Sequence, residues 1–300
     1  MIKTMPEQVD QIINKITGTV DAEKQNTKND NDGSGKLLYC DAINQLNLNS
    51  FVDREKPKLV ALVGFADYGK STFIGTLYQQ LINNQKFKDY AFVDSDTYVG
   101  FERRVFLRRI NGDDISDTKR NVLKENDILD FKLRSDKGVF RVLVSDKAGE
   151  TYTKYTSSDE EIGRDVVIEN ADLMVLFVDA DADSRSLAEH NLIVEKYVSL
   201  LTRLKAQKKI TEGLKYLVVF TKADKVQTED RKRRLAERKN LICSSFTEVL
   251  GIQPIDVYEV NSKDLNNAGL NSVFEKILSP KQQTESCREM DWVKMEIEKR

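Results

Sequence analysis

Residues Gly64-Phe65-Ala66-Asp67-Tyr68-Gly69-Lys70-Ser71 set two glycines, a lysine and a hydroxyl in the order G-x-x-x-x-G-K-S. They directly follow the apolar run Leu59–Val63 and lead into a segment, Ser71 to about Leu81, that reads as a helix. Strand, glycine loop and helix in that order are what a phosphate-binding loop requires. The glycines permit a tight turn. Successive N–H groups from Gly64 through Ala66, Asp67, Tyr68 and Gly69 to Ser71 and Thr72 then line an anion cradle. The helix N-terminus adds its partial positive charge. Lys70 can reach the β- and γ-phosphates, and the Ser71 hydroxyl can take one position on Mg²⁺. The expectation is a bound nucleotide with Mg²⁺ as cofactor.

Two further groups of residues narrow the nucleotide. Asp146-Lys147-Ala148-Gly149 closes an apolar strand downstream of the loop. There Asp146 would hold Mg²⁺ through water and the Gly149 N–H would meet the γ-phosphate. The strand Tyr216–Phe220 runs into Thr221-Lys222-Ala223-Asp224. A carboxylate at Asp224 can accept from both the N1–H and the 2-amino group of guanine, a donor pair that adenine lacks. The Lys222 stem can lie against the base. Beyond Val260, Asn261-Ser262-Lys263 offers a backbone N–H to the guanine carbonyl.

These residues need a frame to hold them. From residue 58 apolar runs alternate with helical patterns, which implies a mostly parallel sheet with helices on both faces. Strands are expected at Ile128–Arg134, Val139–Ser145, Leu173–Val178, Tyr216–Phe220 and Val257–Val260. The first two of these should pair as a hairpin through Ser135–Gly138. Helices are expected at about Ser186–Lys205, Glu229–Leu250 and Ala268–Leu278. In front of this domain, 58–280, an amphipathic helix within 1–20, a polar linker at 21–36 and a helical lead-in at 37–57 are expected. Residues 281–300 are expected to form a helical tail, with Met290, Val293 and Ile297 at helical spacing.

Composition removes several classes. With 47 basic and 49 acidic residues the formal charge is −2, which gives no reason to propose a nucleic acid partner. Apolar runs are too short for membrane insertion and the N-terminus lacks a signal-peptide core. Cys40, Cys243 and Cys287 have no metal spacing and suit reduced thiols in a cytoplasmic protein. The single histidine, His190, is expected at a helix surface. Arg103, Arg104, Arg108 and Arg109 read as a solvated helix face, although a cis-acting arginine would make physical sense there. Arg231–Arg234 reads as the exposed half of an amphipathic helix whose core side is Leu235, Ile242, Phe246 and Val249.

In motif order the chain resembles P-loop GTPases of the translation-factor and Ras-like class over about 58–280. Asp67 and Thr72 make its phosphate loop most similar to that of translation factors. The resemblance implies a six-stranded, mostly parallel sheet with one antiparallel edge strand. It also implies binding of GTP and GDP, and switching towards a protein effector or partner GTPase. It requires a switch threonine on Mg²⁺, for which Thr97 is the first choice and Thr118 the second. The segment around Asp94–Arg103 resembles the double-GTPase group of bacterial conflict-system proteins. Thr221 stands where the family commonly carries asparagine, which predicts a weaker tie to the phosphate loop. Glu150 stands where Ras-type proteins carry the glutamine that positions water. A carboxylate cannot donate as an amide does, so unaided hydrolysis is expected to be slow. Residues 154–165 would form the second switch. The alternatives are a nucleotide-locked scaffold with little hydrolysis and, further off, an ATP-dependent P-loop enzyme.

Overall fold

In a computed structural model the described residues are 42–44, 48, 56–110, 126–252 and 255–281, with backbone alone for 106–110 and 126–127. The expectations for 1–20, 21–36, Thr118 and the tail beyond 281 lie outside them.

The strands are β1 (Ile43–Asn44), β2 (Lys58–Val63), β3 (Lys86–Phe87), β4 (Tyr90–Asp94), β5 (Asn126–Ser135), β6 (Gly138–Ser145), β7 (Leu173–Asp179), β8 (Lys215–Thr221) and β9 (Asp256–Glu259). They form one sheet in the order β3-β4-β5-β6-β2-β7-β8-β9, with β1 on β5. The segment from β6 to β9 is parallel, and β5 runs antiparallel to β6 with Ser135 opposite Gly138. The six expected strands are therefore present. The sheet continues past β5 through β4 and β3, so β5 is an interior strand among the described residues. Within the lead-in expected to be helical, Ile43 and Asn44 instead pair antiparallel with β5.

The helices are α1 (Lys70–Asn84), α2 (Tyr98–Ile110), α3 (Gly149–Tyr155), α4 (Asp159–Gly163), α5 (Val166–Glu169), α6 (Ala180–Arg185), α7 (Leu187–Ala206), α8 (Glu229–Leu250) and α9 (Ala268–Leu278). Every residue of β2 and β7 is buried. Strands covered on both faces read as unbroken apolar runs rather than alternating ones, and the alternation persists only in which core each side chain joins. Leu59, Ala61 and Val63 enter the core shared with α3–α8. Val60 and Leu62 enter the one shared with α1, α2 and α9.

Local chemistry fixes the ends. Ser186 caps α7 by accepting the Glu189 N–H on its hydroxyl, which in turn donates to the Glu189 carboxylate. Asn267 caps α9, and Gly251 (φ 70°) closes α8 in the left-handed conformation. No helix among the described residues is long and apolar enough to cross a membrane.

Candidate functional site

The phosphate-loop residues connect β2 to α1. The turn uses two left-handed residues, Asp67 (φ 63°) and Gly69 (φ 79°), and the Gly69 carbonyl accepts the Phe73 N–H to start the helix at 2.9 Å. Lys70 is buried, and its ammonium donates to the carbonyls of Gly64 (2.6 Å) and Phe65 (3.1 Å). It lies 5.8 Å from the centre of the Tyr152 ring, whose hydroxyl donates to Leu62 O at 2.8 Å. Burial pulls the Lys70 ammonium below its ordinary pKa, while Asp146, Glu150 and Asp67 pull the other way.

Because β6 is parallel to β2, with Ala61 opposite Ser145, its end brings Asp146 beside the loop. The Ser71 hydroxyl donates to Asp146 Oδ1 at 3.2 Å. Two hard oxygen donors side by side suit Mg²⁺, which is held by few protein ligands together with phosphate oxygens and water. Gly149 presses on the loop backbone: a β-carbon there would fall 2.1 Å from the Ala66 nitrogen. Glu150 is exposed in the first turn of α3. Lys147 turns away into a buried ion pair with Asp165 at 2.6 Å. Asp165 also caps α5 and accepts the Tyr155 hydroxyl, so the segment expected as a second switch is anchored at both ends.

On the base side, the Thr221 hydroxyl lies within hydrogen-bond reach of Tyr68 O (2.9 Å) and Val178 O (3.2 Å). The threonine is buried and reaches the loop directly through its hydroxyl. Lys222 is left-handed (φ 57°) and its ammonium meets Asp179 Oδ2 at 2.6 Å. Asp224 is exposed in the short turn Ala223–Lys225. The Val260 N–H bonds to Phe220 O at 2.8 Å, and the Ser262 carbonyl accepts the Thr76 hydroxyl of α1 at 2.7 Å. Asn261 Oδ1 accepts the Lys263 N–H at 2.9 Å, setting a side-chain turn before exposed Lys263.

The expected residues therefore gather at the carboxyl ends of β2, β6, β8 and β9, with one exception. The Thr97 hydroxyl is fully buried, accepts the Asp130 N–H at 2.9 Å and lies 3.2 Å from Ser95 Oγ. It fastens the start of α2 to β5 and is not brought to the Ser71–Asp146 pair. Sequence reasoning also misplaced three polar side chains. Arg104 is not on a solvated face: its Nε donates to Asp146 Oδ2 at 2.8 Å, with its side chain only 10% exposed. Arg231 is tied to Asp181 and Ser184. His190 is buried, with Nδ1 2.8 Å from Asp183 Oδ1. Asp179 went unnoticed; its position as the cap of α6, directly after an apolar strand, was the available signal.

No match to a curated protein sequence was found. Among solved structures, the chain is similar to the bacterial selenocysteine-specific elongation factor EF-Sec, with a TM-score of 0.37 and 16% identity over 74% of this chain and 29% of that one. It thus spans less than a third of the elongation factor. It is also similar to the signal recognition particle receptor SRb-GTP/SRX complex from Chaetomium thermophilum, with a TM-score of 0.43 and 14% identity over 73% of this chain and 97% of that one. Neither likeness is close enough to argue from. A sequence model of the family described as Double-GTPase 2 matches residues 58–277, which hold all four of these loops. The chain belongs to the Double-GTPase 2 family.

Proposed function

We propose that the chain binds GTP and GDP with Mg²⁺, hydrolyses GTP slowly and uses the two states to change its surface towards a protein partner. The observation that supports this most is the joining of three separate loops at one place. Ser71 bonds to Asp146, Gly149 packs on Ala66, and Thr221 donates to the Tyr68 carbonyl. Phosphate would sit on the N–H groups of 64–72, with Lys70 turning from the loop carbonyls to the phosphates. Ser71 and Asp146 would hold Mg²⁺, which when bound neutralises phosphate charge. Asp224 and Lys222 would hold guanine, with the Ser262–Lys263 backbone at its carbonyl.

Glu150 supports the second reading, a nucleotide-locked scaffold. An exposed carboxylate whose charge opposes the lowering of the Lys70 pKa would lie near phosphate charge and has no N–H to offer it. Single-turnover hydrolysis separates the two. The expected result is slow release of phosphate, faster with Glu150→Gln, and loss of nucleotide binding with Lys70→Ala. A rate equal to that in buffer, unmoved by Glu150→Gln, would leave only the scaffold.

A further inference from the structure

A largely covered arginine stands on the carboxylate expected to serve the metal. Arg104 Nε donates to Asp146 Oδ2 at 2.8 Å, and Arg104 Nη1 donates to Gly100 O, one turn back on its own helix, at 2.8 Å. The other carboxylate oxygen receives the Ser71 hydroxyl. One carboxylate therefore links a guanidinium to the first turn of the phosphate-loop helix.

The arginine is aimed by packing. Phe101 stacks flat on Tyr78 of α1 with ring centres 4.4 Å apart, and lies 4.7 Å from Phe131 of β5. Val105 fits against Gly75, where a β-carbon would fall 2.9 Å from Val105 Cγ1. Glu102 accepts the Tyr78 hydroxyl at 2.9 Å. The support is thus a helix fixed to α1 rather than a loop, and a group so held needs little reorganisation to act. A buried ion pair is a poor source of stability, because desolvation offsets most of the attraction. Its place beside Ser71 therefore calls for another account.

We propose that Arg104 supplies positive charge in cis to the terminal phosphate during GTP hydrolysis. This rests on the GTPase reading above. As water oxygen bonds to the γ-phosphorus, the bond from that phosphorus to the β,γ-bridging oxygen breaks. GDP leaves with the electron pair, and inorganic phosphate keeps the water oxygen while a water proton passes to solvent. Arg104 forms no covalent bond. It offsets the charge that grows on the bridging and outer oxygens, the work an arginine finger does elsewhere.

The test compares the full chain with Arg104→Ala and Arg104→Lys in three measurements: GDP affinity, single-turnover hydrolysis, and the gain in GDP retention on adding aluminium fluoride. With Arg104→Ala, hydrolysis should fall about a thousand-fold. GDP affinity should stay within about threefold, and the fluoride-dependent gain should vanish. Lysine should restore little, since its compact ammonium lacks the planar fork. An unchanged rate in Arg104→Ala overturns the proposal. So does a loss of GDP affinity as large as the loss of rate, which would mark a structural ion pair. A lower Mg²⁺ requirement with unchanged hydrolysis overturns it too, making Arg104 a counter-ion only. If the wild-type chain shows no turnover, the GTPase reading fails and the proposal with it. Turnover in the wild type with an unaltered variant defeats the proposal alone.

Discussion

At Gly149 an added β-carbon would meet the Ala66 nitrogen at 2.1 Å and the Phe65 carbonyl carbon at 2.3 Å. Both neighbours are backbone, so no flexible side chain can give way. Gly149→Ala must push the Asp146–Glu150 turn off the phosphate loop, and it should cost about 1–3 kcal/mol in urea unfolding. It should also weaken GDP binding more than tenfold by titration, because the displaced loop is the proposed phosphate cradle; unchanged affinity would mean that the two loops work independently. At this scale the sequence was most legible where a type and a spacing carry chemistry. Gly64, Lys70, Ser71, Asp146, Thr221 and Asp224 could be placed without knowing the fold. Arg104 could not: four arginines within one expected helix give a charged face, and only the packing of Phe101 and Val105 shows that Arg104 turns inward.

Between elements, the junction of α2 with the sheet is polar and buried. Asp130 Oδ2 accepts the Asp96 N–H (2.9 Å) and an Arg141 N–H (2.6 Å), while Asp130 Oδ1 has no hydrogen-bond partner among the described residues. Burial outweighs Arg141 and pushes the Asp130 carboxyl up to about 6, from an ordinary 3.8. The folded chain therefore holds this proton more tightly than the unfolded one between those values. Stability from this group is fully present below pH 3.8 and is lost as the pH rises from there through 6. Wild-type stability relative to Asp130→Asn should fall by about 1–3 kcal/mol from pH 4 to pH 7 in urea melts; parallel profiles would contradict the assignment. Element recognition followed burial. Runs such as Leu173–Val178 marked their elements clearly. The half-exposed β4 and the two-residue β1 and β3 offered no period long enough to read, so the extension of the sheet past β5 was invisible.

Across the whole molecule, the parallel strands deliver the phosphate loop, the Asp146–Gly149 turn, the base loop and Asn261–Lys263 to the same edge of one sheet. Open α/β sheets place ligands at that edge. The order of motifs along the chain already implied this, since each follows an apolar run. What it could not supply was the cross-links between loops, which depend on pairing strands far apart in sequence. The proposed selection of guanine at this edge of a Double-GTPase 2 chain rests on Asp224. Calorimetric titration of GDP and ADP into the wild-type chain and Asp224→Ala tests it most directly. The account predicts at least about a hundred-fold preference for GDP, because the Asp224 carboxylate meets a pair of N–H donors that adenine lacks, and its collapse in the variant. Equal affinity for the two nucleotides in the wild type, or a preference that survives Asp224→Ala, would contradict it.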